Sequence, residues 1–92
     1  MKYSDIIASN VGHEIDLNHA SDSEKDRFCT AFEHQKHELY GEMFDEIVRK
    51  TGHEPATDDI FNEIVERAKV NYFDPEELDQ VAYAAGFTGF VK

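Results

Sequence analysis

Ile60, Phe61, Ile64, Val65 and Ala68 recur at three- and four-residue intervals, the spacing that lines apolar side chains along one face of an α-helix. The same interval links Phe28 to Phe32 and joins Leu39, Met43 and Ile47. It returns in Leu78, Val81, Ala82 and Ala85. Strict two-residue alternation, the mark of a half-buried strand, is nearly absent. With only 5 Gly and 2 Pro in 92 residues, little breaks the pattern. The spacing therefore predicts an all-α fold, a small single-domain helical protein of about four helices spanning residues 1–92, with no sheet beyond a short terminal pairing.

Boundaries follow from local chemistry. A short first helix is expected from Tyr3 to Val11, with Ile6, Ile7 and Val11 on its apolar face and Gly12 ending it. Glu14 to Ser23 reads as a polar connection whose Ile15 and Leu17 turn inward. Asp22 or Ser23 is expected to cap the next segment, which runs to Lys50 and stops at Gly52. Gln35 and Lys36 fall where its apolar stripe should continue, so either one helix leaves the core midway or two helices meet there. Thr57 or Asp58 is expected to cap a third helix running to about Asn71, with Tyr72 continuing its apolar face. Asp74 at the N-cap, Pro75 at the first position and Glu77 at the third make the strongest start signal, an Asp-type capping box. Gly86 suits the residue after the last turn of that helix. The apolar tail Phe87-Thr88-Gly89-Phe90-Val91 must pack on the body or on a partner, since a free tail would expose two phenyl rings.

Twenty acidic residues against nine basic ones give a net charge of −11. That argues against a surface for DNA, RNA or anionic lipid. The 40% apolar fraction suffices for a modest core, so wholesale disorder is not expected. One Cys permits neither an internal disulfide nor a Cys-rich zinc site. No signal-peptide core follows Met1, and no apolar run approaches the ~20 residues needed to span a bilayer, so a cytoplasmic protein is expected.

Catalytic chemistry finds little footing. No phosphate-binding loop, HExxH pair or EF-hand loop is present. Cys29 between Phe28 and Phe32 reads as a core residue. His34 and His37 are three apart and Glu38 is four from His34, but a metal needs three or four ligands and spacing fixes no others nearby. The expectation is no enzyme, no metal and no cofactor.

The acidic residues are distributed with more order. Between Lys36 and Arg49 stand Glu38, Glu42, Asp45 and Glu46, with no cation. Between Lys50 and Arg67 stand Glu54, Asp58, Asp59, Glu63 and Glu66. Asp74, Glu76, Glu77 and Asp79 follow Lys69. At about 100° per residue, Asp59, Glu63 and Glu66 fall opposite the Ile60–Ile64 face, and Glu38, Glu42 and Asp45 opposite Leu39, Met43 and Ile47. Like charges at i,i+3 and i,i+4 cost a few tenths of a kcal/mol per pair. From Asp58 to Glu66 four carboxylates span ~13 Å of helix, one per ~3.4 Å, and a DNA strand carries one phosphate per ~3.4 Å of axis. A solvated acidic surface that only keeps a small protein soluble would look the same in composition.

The run Leu39-Tyr40-Gly41-Glu42-Met43-Phe44-Asp45-Glu46-Ile47, followed by Thr57-Asp58-Asp59-Ile60 and an amphipathic helix, resembles the phage DNA-mimic anti-restriction proteins of the Ocr and Arn type. The resemblance covers roughly residues 38 to 80. It departs from Ocr at the tail, which is apolar here and acidic there. It implies a homodimer in the cytoplasm of an infected bacterium. Its carboxylates would occupy the DNA-binding site of a host protein, a restriction nuclease such as McrBC or a histone-like nucleoid protein. The candidate phosphate-mimicking residues are Glu38, Glu42, Asp45, Glu46, Asp58, Asp59, Glu63 and Glu66, supported by Asp74, Glu76, Glu77 and Asp79. The alternative is an acidic adaptor or phage inhibitor that grips a non-DNA protein surface through an apolar patch, with Phe87 to Val91 as its anchor.

Overall fold

A computed structural model of the protein describes residues 13–91. The helix expected over Tyr3 to Val11 lies outside them. Within them the order is β1 (Ile15–Asp16), α1 (Asp22–Gln35), α2 (His37–Thr51), α3 (Thr57–Lys69), α4 (Pro75–Ala84) and β2 (Phe90–Val91). The fold is all-α, with one two-residue parallel pairing that sets Ile15 against Phe90 and Asp16 against Val91.

The segment from 22 to 51 is two helices. Lys36 separates them at φ −128°, ψ 53°, although its N–H still reaches the Phe32 carbonyl and its own carbonyl accepts from Tyr40 N–H. The polar stretch His34 to His37 explains the break: no apolar side chain there rewards continuing along the core. Helix α1 keeps Phe28, Cys29, Ala31 and Phe32 buried, and α2 re-enters the core through Met43 and Ile47.

Helix α1 packs against each of the other three helices. Phe28 meets Phe61 of α3 edge-on at 6.0 Å between ring centroids, and Phe32 meets Phe73 at 5.7 Å. Ile60, Ile64 and Val65 of α3 and Leu78, Val81 and Ala82 of α4 complete the interior with Ile15 and Leu17.

The caps differ from expectation in three places. Helix α1 starts from Ser21, ahead of Asp22 and Ser23. Glu24 N–H donates to Ser21 Oγ at 3.3 Å, and Ser21 N–H donates to Glu24 Oε1 at 2.9 Å, a complete capping box. Helix α3 starts from Ala56, ahead of Thr57 and Asp58; alanine has no side-chain oxygen, so only the return bond exists, from Ala56 N–H to Asp59 Oδ2 at 3.0 Å. At α4, Asp74 and Pro75 stand where expected, but the Asp74 carboxylate caps nothing.

Serine at position 21 is worth about 1 kcal/mol to α1, so Ser21→Ala should lower the thermal midpoint by roughly 4–8 °C in calorimetry. The bond from Ser21 N–H holds the Glu24 carboxyl below its ordinary value, with a further contribution from His13, whose Nε2 lies 2.7 Å from Glu24 Oε2. A depressed folded value stabilises above the ordinary 4.5, and that gain is lost as pH falls through the folded value.

Three helix ends rest on left-handed residues, the first being Gly52, at φ 77°, which closes α2 as expected with its N–H on the Val48 carbonyl. Gly86, at φ 92°, ends α4 as expected; Phe87 N–H bonds to Ala82 C=O and Gly86 N–H to Tyr83 C=O. Asn71, at φ 58°, does the same for α3, with Tyr72 N–H on Arg67 C=O. The sequence places α3's end near Asn71 with Tyr72 on its buried face. Instead the helix stops at Lys69, this turn leaves Tyr72 exposed, and it drives Phe73 inward.

The tail packs on the body. Phe87 is 1% exposed, between the Arg27 guanidinium at 4.6 Å and the His13 ring at 6.0 Å. Phe90 is half-buried against the core. Phe87 is therefore closed to any partner, and the tail loses the exposed ring that made it an anchor.

A candidate acidic interface

Helix α2 presents Glu38, Glu42 and Asp45 to solvent, on the side away from buried Met43 and Ile47. The arrangement follows from helical periodicity, since 38, 42 and 45 lie within roughly 60° of one another on the helix wheel. No Lys or Arg among the described residues pairs with any of the three. They give about one carboxylate per 4 Å over eight residues of helix.

Elsewhere the tertiary structure fills windows that are free of cations in sequence. Glu46 accepts from Arg67 Nη2 at 2.7 Å and lies 3.1 Å from Lys50 Nζ. Its carboxyl is held below the ordinary range, first by the hydrogen bond and charge of Lys50 and to a smaller degree by Arg67 and Arg49. Glu63 accepts from Arg67 Nε at 3.0 Å. Glu66 pairs with Lys69 at 3.4 Å and Asp58 with Lys25 at 3.5 Å. Asp59, half-buried, receives the Ala56 N–H at the head of α3. The α3 stripe expected from Asp59, Glu63 and Glu66 is thus a set of structural contacts. Each of its carboxylates already has a donor.

The first turn of α4 retains open charge. Asp74, Glu76 and Asp79 are exposed, without an ion pair among the described residues, and Glu77 lies 3.8 Å from Lys36. Lys36 is the residue at the break between α1 and α2. Lys36 thus links the head of α4 to the start of α2, two residues before Glu38.

Sequence spacing missed Arg67 as the organiser of the α2–α3 seam. Its side chain is 16% exposed, bridges Glu46 and Glu63, and lies over the Tyr72 ring at 5.0 Å. The i,i+4 pairing with Glu63 was legible; the reach of 21 residues back to Glu46 was not.

The other titratable candidates take plain positions. Cys29 is buried, its Sγ 3.8 Å from the Thr57 carbonyl, and burial pushes its thiol up to about 12. Such a thiol stays protonated and is a poor nucleophile. His34 and His37 are exposed on opposite sides of the helix break. Among the described residues no three His, Cys, Asp or Glu side chains converge on a point that would hold a metal ion. None of the described helices is long and apolar enough to cross a membrane. Comparison of the chain with models of protein families, with curated proteins and with solved structures finds no match.

Proposed function

We propose that this protein is a DNA-mimic inhibitor, occupying the DNA-binding surface of a host protein with carboxylates held on helices. The target class is a protein that grips the DNA backbone, a restriction nuclease or a histone-like nucleoid protein. The observation that carries the reading is the stripe of Glu38, Glu42 and Asp45, exposed on a helix whose opposite face is buried, with none of the three in an ion pair among the described residues and with Arg49, one turn beyond Asp45, bounding it. Asp74, Glu76 and Asp79, exposed at the head of α4, are a second set of open carboxylates. Glu46, Asp58, Asp59, Glu63 and Glu66 serve the fold first and contribute to the surface only as paired groups.

The mechanism is competitive occupancy. Lys and Arg clusters that take phosphates would take these carboxylates in their place. An unpaired stripe on a rigid helix costs little reorganisation on binding, since its geometry is set before contact. The homodimer implied by the resemblance is a separate expectation; competitive occupancy by these carboxylates requires only one copy.

The adaptor reading, with its anchor at Phe87 to Val91, is less favoured because Phe87 is inside the core. The two readings separate in one experiment. The protein is immobilised and exposed to a bacterial lysate, then eluted with a salt gradient and, in parallel, with duplex DNA. A mimic releases DNA-binding proteins in both arms. The variant Glu38→Gln, Glu42→Gln, Asp45→Asn should weaken that capture about 10- to 100-fold, at up to ~1 kcal/mol per exposed pair, and flatten the salt dependence. Unchanged capture and salt slope in a folded triple variant would rule the mimic out.

A further inference from the structure

Between the residue after β1, the last turns of α3, the head of α4 and the tail lies an apolar pocket of about 250 Å³, walled by Leu17, Val65, Ala68, Phe73, Leu78 and Phe90. Pockets for drug-sized ligands and cofactors run about 300–1,000 Å³, so this one suits something smaller. An apolar cavity of roughly 150 Å³ takes up benzene. In the same proportion, a pocket of about 250 Å³ suits about ten non-hydrogen atoms.

The polar part of the lining selects among ligands of that size. It consists of Asn18, Lys69 and Asn71, all exposed. Asn71 reaches this place through the left-handed turn, at φ 58°, that follows α3. The two amides can donate or accept, whereas the Lys69 ammonium only donates. No carboxylate lines the pocket among the described residues, although the chain carries 20 Asp and Glu against 9 Lys and Arg. The one charge in the lining is therefore positive. Glu66 lies 3.4 Å from Lys69, but the two side chains are 69% and 57% exposed. Such a pair contributes little, so a ligand anion can compete for the ammonium. The net charge of −11 opposes an anion only at long range, and at physiological salt charges beyond ~8–10 Å are largely screened. A ligand amine would meet a like charge at the mouth, and an uncharged head would gain nothing from it. We infer that this pocket binds a small apolar monocarboxylate, a hydrocarbon chain of about eight carbons seated on Leu17, Val65 and Leu78. Its carboxylate lies at the mouth, on Lys69 with the amides of Asn18 and Asn71. The inference goes beyond the proposed function and does not depend on it, since Glu38, Glu42 and Asp45 line no part of this pocket.

The test uses the full chain and three probes that differ only in the head group: octanoate, octanol and octylamine. Each is titrated into the protein at physiological salt while the methyl resonances of Leu17, Val65 and Leu78 are followed. Octanoate should shift these methyls, bind about two- to fivefold tighter than octanol, the return on one exposed ion pair, and exceed octylamine by more. Lys69→Gln should remove the advantage of octanoate over octanol. Methyl shifts confined to other parts of the protein, or octylamine binding as tightly as octanoate, would overturn the inference. So would an advantage of octanoate over octanol that survives in Lys69→Gln. The comparison of the three probes on the unmodified protein decides the question even if that variant fails to fold.

Discussion

Replacing Phe87 by Ala is expected to lower folding stability by about 3–5 kcal/mol, the usual range for deleting a buried phenyl ring. Small domains have roughly 5–15 kcal/mol in total, so the variant stands near the edge of folding. Three features make this ring expensive to lose. It is 1% exposed, it carries the Arg27 guanidinium on its face at 4.6 Å, and its backbone N–H closes the end of α4 on the Ala82 carbonyl. Truncation leaves a cavity beneath Arg27 and loosens the chain that leads into β2. At roughly 4–8 °C per kcal/mol the thermal midpoint should fall by more than about 12 °C. Calorimetry on the variant decides the matter. A midpoint within about 2 °C of the parent would mean that the tail lies outside the core, restoring it as an anchor for a partner.

Arg67→Met should produce the second large effect, a loss of about 1–3 kcal/mol at neutral pH. Methionine keeps the aliphatic stem and removes the fork that ties Glu46 at 2.7 Å to Glu63 at 3.0 Å. Two half-buried carboxylates then face one another with Lys50 as the remaining partner of Glu46. Acid should narrow the gap. In the parent protein the Glu46 carboxyl is held below its ordinary value, so the stabilisation it supplies is complete above that value and is lost as pH falls through the folded one. The variant removes Arg67, one cause of that depression, so less of this stabilisation remains to be lost in acid. Urea denaturation at pH 7 and at pH 4 should show a clear difference from the parent at the higher pH and a smaller one at the lower; an equal difference at both would assign the loss to packing on Tyr72. The variant also bears on function. Releasing Glu46 and Glu63 from their cation adds negative charge to the α2–α3 seam, so capture of a basic partner should grow steeper in its dependence on salt.

The contrast between the acidic stripes of α2 and α3 shows how far periodicity reaches. In both, spacing placed the carboxylates opposite the apolar face, and in α2 that suffices, because Glu38, Glu42 and Asp45 meet no other element that carries a cation. In α3 the same spacing puts Glu63 beside α2, where Arg67 and Glu46 meet. Whether a charged side chain remains free depends on what the neighbouring helix brings to it, and that neighbour is distant in sequence.

Local chemistry alone determined several features of the chain. Three- and four-residue spacing set the core faces of Phe28 and Phe32, of Met43 and Ile47, of Ile60, Phe61, Ile64 and Val65, and of Leu78, Val81 and Ala82. Asp74, Pro75 and Gly86 marked the bounds of α4, since proline and glycine act on the backbone of their own residue. The break at Lys36 was legible only as two possibilities: the polar stretch His34 to His37 withholds the reward for staying helical but does not fix how the chain turns. Ser21 was also within reach, because it has a Glu three residues on, which Asp22 and Ser23 lack. Tertiary structure decided the rest. The seat of Phe87 needed Arg27, and the bridge from Arg67 to Glu46 spans 21 residues. Each of these brings together groups far apart in sequence, and a one-dimensional pattern records which face a residue takes but not which element it will meet.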